Sequence, residues 1–432
     1  MQILFLVYQY IPSLDATTNC VQALRRQLKR KGIVCDVLSL QPKGKYTEQQ
    51  DSCGRVFFET TWAYRGRIRR KEGESLQNYL LHLPFAIAFR ALHRLLSDSY
   101  TKIEKVFSYK ACGRFRKKLA QLCKQNHYDW VVAISSPYCM HDIAAHTNLH
   151  GTPLALYYFD PYTTHILLAP ENRKRRLRQE CKNLKKSNLV FASLEHQEDW
   201  ESTDFSEYLG KVQFLPYPNL TPDKGIPEPA PVLFTPDEIT MVYLGNLYDG
   251  VRYPKYMFSL FEKMLDYAPQ LRLIVAGGTR GTEVEQQIQD AQKKLQEHLV
   301  YLKTIPFSQA LWLTKRADCL INIGNCTKNI MPSKLLDYMA SGKPILNISF
   351  QKPCNTEPYI LRYPWAVQFY EENLRDTSQL DQAAQEAVEF VLAHQGKTLS
   401  WQDVQSAMQG FTAEDVAGQF LVALEKAKCC NV

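Results

Sequence analysis

The chain has 432 residues, 45% of them hydrophobic, so it is long enough for two domains with large buried cores. Its formal charge of +8 comes from the part before about residue 220, and we expect that half to meet an anionic partner. The twelve cysteines show neither zinc-site spacing nor a secreted disulfide framework. These features favour a cytoplasmic protein and predict no metal site.

The first forty residues contain a strand, a helix and a second strand. The strand "ILFLVY" begins at Ile3, the helix "CVQALRRQLKRKG" ends at Gly32, and the strand "VCDVLSL" follows at once. The apolar start lacks the basic region and cleavage site of a signal peptide and is too short to span a bilayer. We therefore interpret it as a buried strand in a βαβ unit of a parallel sheet.

Strands and helices continue to alternate up to about residue 220. Strand-like runs are "DWVVAIS", "PLALYYF", "SNLVFAS" and "KVQFLPY". Residues 45–110 are rich in charge and aromatic side chains and look like an insertion. Within them, residues 80–96 are apolar with a few cations, which fits either a core helix or contact with a membrane surface. Residues 1–220 thus form a first Rossmann-like domain.

A proline-dense stretch without hydrophobic periodicity, residues 221–237, predicts a linker. A second series of strands follows: "ITMVYLG", "LRLIVAGG", "LVYLKTI", "DCLINIG" and "PILNIS". Residues 238–405 are therefore expected to form a second Rossmann-like domain, and residues 406–432 a helix that packs back toward the first. The predicted fold class is α/β with two Rossmann-like domains.

The stretch "PSKLLDYMASGKP" predicts a short helix that starts near Pro332 and stops at Gly342. Ser333 and Lys334 are then placed in its first turn, where free N–H groups and the helix dipole attract phosphate. Asp337 lies one turn on and could accept hydrogen bonds from sugar hydroxyls. The alternative is an ordinary amphipathic helix that Ser333 merely caps.

These features together resemble the GT-B glycosyltransferases, and specifically the retaining enzymes of glycosyltransferase family 4. The resemblance is carried by "VYLGNLYDGVRYP", "LRLIVAGG" and "PSKLLDYMASGKPIL" in the second half, and by "YYFDPY" and "FLPYPN" in the first. It implies two domains facing a central cleft and hexosyl transfer, with retention, from a nucleotide-sugar such as a UDP-sugar or GDP-sugar. It further implies polysaccharide or glycolipid assembly, with neither a metal nor a cofactor besides the co-substrate.

The resemblance also assigns donor-binding residues: Gly245, Asn246, Gly277, Asn329, Met331, Pro332, Ser333, Lys334 and Asp337. Arg252 and Lys334 would neutralise the departing diphosphate and so act as catalytic residues. The sequence departs from the family at two positions. Asn329 stands where the family has the first of two glutamates spaced E-x7-E, and Asn246 stands where it has a diphosphate-binding arginine. Arg252 is expected to supply that missing charge.

On the acceptor side, Ser13, Thr17 and Thr18 follow the first strand, and Asp160 follows "LALYYF". We expect these residues to contact the acceptor, and we assign His141 a catalytic role; the alternatives are a helix-capping Asp160 and a surface His141. The expected acceptor is a saccharide or a lipid-linked molecule, with peripheral contact to an anionic membrane at its inner face. No nucleic-acid partner is expected, because the basic clusters lack interleaved aromatic residues.

Other functions remain open on the same scaffold. A nucleotide-sugar epimerase would need acidic residues poised to move protons, and none could be located. A nicotinamide enzyme would need GxGxxG after the first strand, where "VYQYIPSLD" has none. A non-catalytic GT-B-like scaffold or complex subunit is favoured by Asn246 and Asn329.

Overall fold

The computed structural model describes residues 1–8, 10, 16–40, 48–59, 75–77, 79–81, 83–84, 87–88, 112–135, 138–160, 162–163, 173–201, 204–222, 225–326 and 331–430. The chain divides into two compact units. Unit 1 comprises Met1–Pro218 and Ala413–Val432, and unit 2 comprises Asn219–Thr412. None of the helices described is long and apolar enough to cross a membrane. Much of residues 80–96 lies outside the described residues.

Unit 1 is built on an eight-stranded sheet with the order β3-β4-β2-β1-β5-β6-β7-β8. The strands are β1 (Gln2–Val7), β2 (Val34–Leu40), β3 (Glu48–Gln50), β4 (Arg55–Glu59), β5 (Trp130–Ile134), β6 (Leu154–Tyr158), β7 (Leu189–Ser193) and β8 (Val212–Leu215). All pairs are parallel except β3 with β4. The expected insertion thus contributes two strands to the edge of this sheet. The central strands are apolar throughout because helices cover both faces.

Helices α2 (Gly113–Asn126), α3 (Cys139–Ala145) and α4 (Arg173–Lys186) cover one face of this sheet, and α1 (Ala16–Arg30) covers the other; a short α5 (Gln197–Glu201) follows β7. The predicted stop of α1 at Gly32 is confirmed. Gly32 has φ 79°, and its N–H donates to the Lys29 carbonyl while the Ile33 N–H donates to the Leu28 carbonyl. This pair of bonds is the Schellman motif that ends a helix at glycine.

The last helix of the chain, α13 (Ala413–Cys430), belongs to unit 1 and packs on α1. Phe420 is its buried anchor: the ring stacks 4.4 Å from Phe191, and 6.2 Å from both Phe5 and Tyr157. Lys428 pairs with Asp129 at 2.6 Å nearer the end of the helix. Unit 1 is therefore completed by a segment that is far away in sequence.

Unit 2 is built on a six-stranded parallel sheet with the order β13-β11-β9-β14-β15-β16. These strands are β9 (Ile239–Leu244), β11 (Leu271–Ala276), β13 (Leu299–Tyr301), β14 (Cys319–Ile323), β15 (Ile345–Ser349) and β16 (Ala366–Tyr370). A separate parallel pair joins β10 (Leu247–Tyr248) to β12 (Thr279–Arg280). The strands predicted from the apolar runs are all present, and β16, whose strand is only partly apolar, extends the edge.

The helices of unit 2 are α6 (Lys255–Leu265), α7 (Thr282–Leu295), α8 (Phe307–Arg316), α9 (Lys334–Ala340), α10 (Glu357–Ile360), α11 (Thr377–His394) and α12 (Trp401–Ala407). A C-terminal helix was expected over residues 406–432, and α13 forms within these bounds. The shorter α12 was not predicted. It has a start signal of its own, because Ser400 and Asp403 form a reciprocal capping box at its beginning.

The proline-dense stretch predicted as a linker lies against unit 2. The Glu228 N–H donates to the Ser308 carbonyl at 3.1 Å, and the Ser308 hydroxyl donates to the Glu228 carboxylate at 2.9 Å. Further along, the Arg272 guanidinium donates to the Leu233 carbonyl at 2.8 Å. Hydrogen bonds therefore fix this stretch, although its described residues, 221–222 and 225–237, form neither helix nor strand.

A row of amide side chains, two buried and one half-buried, crosses three strands of unit 2. The Asn322 amide of β14 donates to Asn347 Oδ1 of β15 at 2.5 Å, and the Asn347 amide donates to Gln368 Oε1 of β16 at 2.5 Å. Asn347 is fully buried and also donates to the hydroxyl oxygens of Ser349 and Thr356. The three side chains are directly opposite one another in the strand register, so each satisfies its neighbour.

Replacement of Phe420 tests how strongly α13 is held. Phe420→Ala should cost unit 1 about 3–5 kcal/mol, because it leaves a cavity among three aromatic rings. Hydrogen exchange of the β1 and β7 amides should accelerate accordingly. Val422→Ala, on the same helix but 49% exposed, is the matched control and should change exchange little. Equal exchange in the two variants would contradict this account.

Candidate functional site

The strand order of unit 2 reverses between β9 and β14. The chain runs from β9 outward to β11 and β13, and then returns to place β14 on the other side of β9. In sheets of this kind the neighbouring connections leave in opposite directions, so a crevice opens at the carboxyl ends of the two strands. The residues after Leu244 and after Ile323 therefore form the edge where a ligand is expected.

Tyr338 of α9 closes the sheet at this edge. The last paired residues of β9 and β14 are Tyr243 and Ile321, so the next backbone groups on that side of β9, those of Leu244, have no strand partner. The Tyr338 hydroxyl accepts from the Leu244 N–H at 2.8 Å and donates to the Leu244 carbonyl at 3.1 Å. It is 1% exposed, and burial raises its pKa. These two hydrogen bonds of one hydroxyl fix α9 to the end of β9.

Arg252 reaches across the reversal point. Its Nε and Nη2 donate to Asn325 Oδ1 at 3.1 and 2.7 Å, and its Nη1 donates to the Asn246 carbonyl at 3.4 Å. Asn325 follows β14 and is 8% exposed. No carboxylate of a described residue pairs with Arg252, so neutral oxygens orient the guanidinium and leave its positive charge uncompensated.

Lys334 and Asp337 form an ion pair on the first turn of α9. Lys334 Nζ lies 3.1 Å from Asp337 Oδ2 and 4.9 Å from the centre of the Phe307 ring. The other carboxylate oxygen of Asp337 accepts from the Asn219 amide at 3.2 Å. The lysine is 31% exposed and the aspartate 13% exposed. Both charges are thus held in place while the lysine remains accessible.

The other residues predicted at the start of α9 have simpler surroundings. Met331 and Pro332 are buried, and the Pro332 carbonyl accepts from the Leu335 N–H at 3.0 Å. Ser333 precedes a helix of seven residues and makes no capping hydrogen bond through its side chain. The alternative that Ser333 merely caps the helix therefore lacks its defining contact. Asn329 lies outside the described residues.

The predicted glycine that ends α9 is confirmed. Gly342 has φ 73°, in the left-handed region that glycine adopts most easily. A Cβ at this position would lie 2.2 Å from the Leu399 carbonyl oxygen, and the Leu399 N–H in turn donates to the Gly342 carbonyl at 2.9 Å. Glycine is therefore required here by the turn and by the close approach of the segment that leads into α12.

Gly245, Gly277 and Asn246 hold the ends of β9 and β11 together. A Cβ on Gly277 would lie 1.8 Å from the Gly245 carbonyl oxygen, so the close approach at this glycine is to the protein's own backbone. The Asn246 side chain accepts from the Gly278 N–H at 2.8 Å and donates to the Tyr248 hydroxyl at 2.9 Å. In this structure the three residues shape the edge, and their contact with a donor remains a prediction.

Glu371 lies at the same edge, after β16. Its N–H donates to the Ser349 carbonyl at 2.9 Å, and the carboxyl is 4% exposed. Burial raises the pKa of Glu371 to about 7, although Arg375 opposes the shift. A shallow recess beside it is lined by Asn325, Cys326 and residues from 349–355. Burial and the nearby Glu371 raise the pKa of the Cys326 thiol to about 11, so that thiol stays protonated.

The predicted acceptor residues at the start of α1 are only partly described. Thr17 is half-buried and Thr18 is fully buried in the first turn of the helix. Ser13 lies outside the described residues. Of the two threonines that are described, Thr17 alone keeps a partly exposed side chain, and its role in acceptor binding, like that of Ser13, remains a prediction.

His141 lies in the core, contrary to the alternative that it is a surface residue. It is 1% exposed, its ring meets Tyr158 edge-on at 4.4 Å, and Nε2 lies 3.3 Å from the Tyr157 carbonyl. Burial lowers its pKa to about 3, so the imidazole is neutral at pH 7. A buried ring offers no atom to a sugar hydroxyl in this arrangement, and the catalytic role predicted for it remains a prediction.

Asp160 lies beyond the carboxyl end of β6, beside a stacked pair of tyrosines. The Tyr138 and Tyr162 rings lie 4.1 Å apart, and the Tyr138 hydroxyl donates to the Asp160 carbonyl at 3.1 Å. Burial raises the pKa of the Asp160 carboxyl to about 6. This half-buried acid is thus the predicted acceptor residue with the most suitable surroundings for a hydroxyl ligand.

Three residues of the edge escaped the sequence analysis: Asn325, Tyr338 and Glu371. Asn325 follows an apolar strand, which is a signal for a residue at the carboxyl edge of a sheet. Tyr338 lies inside the predicted helix among apolar residues, a pattern that favours a core position rather than a role at the edge. Glu371 follows a strand whose pattern is only partly apolar, and that strand was not predicted.

Comparison with known proteins identifies the fold of the chain. No protein-family model matches the chain, and no curated protein matches its sequence. Among solved structures, the catalytic domain of starch synthase IV from Arabidopsis thaliana, bound to ADP and acarbose, aligns with a TM-score of 0.61, 10% identity and 99% coverage of both chains. The chain has the GT-B fold. Its two Rossmann-like units account for the whole described architecture.

Two further structures support the same conclusion. HepE from Anabaena, in complex with UDP and glucose, aligns with a TM-score of 0.53 and 12% identity over 99% of this chain and 100% of its own. WaaG, a glycosyltransferase involved in lipopolysaccharide biosynthesis, aligns with a TM-score of 0.54 and 12% identity over 97% of this chain and 99% of its own. Identities this low establish the fold alone.

The raised pKa of Glu371 predicts a dependence of stability on pH. The unfolded chain releases this proton near the usual pKa of 4.5, whereas the folded chain keeps it up to about 7. Stability therefore falls as the pH rises from about 4.5 to about 7, because the unfolded state is the first to lose the proton. Glu371→Gln removes this effect and should be more stable than the wild type at pH 8 by up to about 3 kcal/mol.

Urea unfolding at a series of pH values measures this difference. The advantage of Glu371→Gln should shrink steadily toward pH 4.5. Glu372→Gln, the exposed neighbouring carboxyl, is the matched control and should give a flat difference. An advantage for Glu371→Gln that does not change with pH would show that the carboxyl is ionised in the folded protein.

Proposed function

We propose that the protein is a glycosyltransferase that moves a hexose from a nucleotide-sugar to a hydroxyl acceptor, with retention of configuration. The observation that carries the proposal is the pair of fixed cations at the β9–β14 edge. Arg252 is oriented by Asn325 and pairs with no carboxylate in the part of the chain that the structure describes, and Lys334 lies on the first turn of α9. A diphosphate is the ligand that needs two cations at such an edge.

The reaction demands that negative charge be stabilised as the nucleoside diphosphate leaves. Arg252 would bind phosphate oxygens in a bidentate manner, and Lys334 would add a second positive charge on the same side. Because two side chains supply this charge, we propose that the step needs no metal ion. The leaving phosphate oxygen would take the acceptor's proton on the same face of the sugar, which accounts for retention without a protein nucleophile.

The remaining residues receive supporting roles in this proposal. Asp337 would accept hydrogen bonds from the nucleotide ribose, since its carboxylate is already oriented by Lys334 and Asn219. On unit 1, Asp160 and Thr17 would bind the hydroxyl groups of a saccharide or lipid-linked acceptor. We assign the protein to polysaccharide or glycolipid assembly in the cytoplasm, at the inner face of a membrane.

A non-catalytic scaffold is the second candidate. It is favoured by Asn246, whose amide is engaged with Gly278 and Tyr248 where the resemblance calls for a diphosphate-binding arginine. Such a protein would bind a nucleotide through Arg252 and Lys334 but would release no sugar. Binding and turnover must therefore be measured separately.

Titration calorimetry with UDP, GDP and ADP tests the donor site. One nucleotide should bind the wild type, and Arg252→Ala or Lys334→Ala should weaken it about 10–100-fold, since each removes charge-assisted hydrogen bonds. Lys315→Ala, an exposed lysine on α8, is the control of equal charge and should bind normally. If a folded wild-type protein binds none of the three nucleotides, the transferase proposal fails.

Turnover separates the two candidates. Incubation with the matching nucleotide-hexose should release the nucleoside diphosphate, and NMR of the product should show the anomeric configuration of the donor. An inverted product would refute retention, and tight binding without release would favour the scaffold.

Tyr338→Phe tests whether the edge depends on one hydroxyl. The variant leaves the N–H and carbonyl of Leu244 without this partner, which should cost about 1–3 kcal/mol of stability. Nucleotide affinity should fall at least about tenfold as well, because α9 carries Lys334 and Asp337. Urea unfolding and calorimetry measure the two effects.

The matched control is Tyr363→Phe, which loses a buried bond to the Lys343 carbonyl at the other end of the sheet. It should lower stability comparably and leave nucleotide affinity unchanged. Equal losses of affinity in the two variants would mean that Tyr338 acts through general stability alone.

A further inference from the structure

Two polar side chains at the recess beyond β14 and β15 have no hydrogen-bond partner among the described residues. Glu371 borders the recess, where its N–H donates to the Ser349 carbonyl at 2.9 Å. The residue is 4% exposed, and no described group donates to its carboxyl or accepts from it. Asn355 lines the recess, and its Nδ2 is buried without an acceptor in the described part of the chain. Buried polar groups are nearly always paired in folded proteins, so two unpaired ones at one recess indicate a ligand.

Other polar groups around the recess satisfy one another. The Ser349 hydroxyl lies 3.2 Å from the Thr356 hydroxyl and accepts from the Asn347 amide at 3.1 Å. The Cys354 thiol lies 3.3 Å from the same Thr356 hydroxyl. The free carboxyl and amide are thus found beside a network in which neighbouring hydroxyl, thiol and amide groups are paired.

The recess begins one side chain away from the proposed diphosphate site. Asn325 lines the recess and also accepts from Arg252 Nη2 at 2.7 Å. Cys326 lines it as well, and its N–H donates to the Val251 carbonyl at 2.8 Å, so the loop that carries Arg252 is joined to the wall of the recess. A group attached to a phosphate at Arg252 therefore meets this recess.

The two unpaired groups favour a ligand that carries hydroxyl groups. Asn355 Nδ2 can only donate, whereas the Glu371 carboxyl accepts when ionised and also donates when protonated. Burial raises the pKa of Glu371 to about 7 against the positive charge of Arg375, so both forms are present near neutral pH. A hydroxyl accepts from the amide and donates to the carboxyl. A carboxylate ligand would face a like charge whenever Glu371 ionises, and an ammonium ligand would leave the amide unpaired.

We propose that this recess binds the hexose of the nucleotide-sugar donor, with Glu371 and Asn355 selecting the sugar through its hydroxyl groups. In this arrangement, which rests on the proposed transferase function, the diphosphate of the same ligand lies at Arg252. The recess is shallow, so one edge of the sugar ring enters it and the rest stays outside. Hydroxyl groups on that edge would distinguish one hexose from another.

Titration calorimetry that compares a nucleoside diphosphate with its hexose conjugate tests this site. The probes are UDP with UDP-glucose, UDP-galactose and UDP-N-acetylglucosamine, GDP with GDP-mannose, and ADP with ADP-glucose. Glu371→Leu should bind the preferred nucleotide-hexose about tenfold more weakly and the matching nucleoside diphosphate like the wild type, because the nucleotide does not enter the recess. Asn355→Ala should give the same split, with a loss of about three- to tenfold.

Glu372→Leu, at the exposed neighbouring carboxyl, is the matched control and should bind both ligands like the wild type. Glu371→Leu replaces a buried acid with an apolar side chain and should keep the fold, which thermal melting checks. Equal losses for the nucleoside diphosphate and the nucleotide-hexose would show that the recess does not act on the sugar. That outcome, or no loss in Glu371→Leu, would overturn the proposal and leave the transferase function standing.

Saturation-transfer NMR with free sugars decides the matter if none of the nucleotides binds. Glucose, galactose, mannose and N-acetylglucosamine are the probes, and at least one should give a signal that Glu371→Leu reduces and Glu372→Leu retains. If this pattern appears without nucleotide binding, the transferase proposal fails and the recess is still a sugar site. If neither a free sugar nor a nucleotide-hexose depends on Glu371, the recess does not bind a hexose and the proposal is wrong.

Discussion

The candidate site depends on the hydrogen bonds that the Tyr338 hydroxyl makes at the end of β9. Where β14 leaves β9, the backbone of Leu244 would have a buried N–H and carbonyl with no strand beside them, and burying such groups unpaired is costly. Tyr338 meets both with a single oxygen. The helix that carries this tyrosine also carries Lys334 and Asp337, so the hydrogen bonds that complete the sheet also position these two charged side chains. Because Tyr338 pairs these backbone groups, no further strand is needed beside Leu244, and the crevice at the carboxyl ends of β9 and β14 can remain open.

The two cations of the edge are held by different means. Arg252 is oriented by the neutral oxygens of Asn325 and Asn246, which direct the guanidinium without cancelling its charge. Lys334 is oriented by a carboxylate and lies over the Phe307 ring, so its charge is partly offset in this structure. Under the proposed function, Arg252 would bind an anion directly, whereas Lys334 would exchange its carboxylate partner for the anion. Such an arrangement favours a ligand with several negative charges over a singly charged one.

The regular parts of the structure could be predicted from the sequence because they depend on local patterns. The central strands of both units are continuous apolar runs, and Gly32 and Gly342 lie at positions with positive φ, which glycine adopts most easily. The contacts of Arg252, Tyr338 and Glu371 could not be predicted in this way, since each depends on which strands become neighbours. His141 shows the opposite limit: its place after "SSPYCM", in the half expected to bind the acceptor, suggested a catalytic group, yet the ring packs in the core against Tyr158. The position of His141 in the sequence indicated which elements lie near it, but not whether its side chain points into the core or toward solvent.

The row of amides through Asn322, Asn347 and Gln368 has a consequence for how this sheet tolerates change. A slip of one residue between these strands would turn the amides to the other face and bury them without partners. The row therefore works as a key for alignment, which hydrophobic side chains alone cannot provide because they pack in many ways. Exchange of only one of these three strands with the strand of a relative would leave the remaining amides without partners, so a chimera would have to exchange the three strands together.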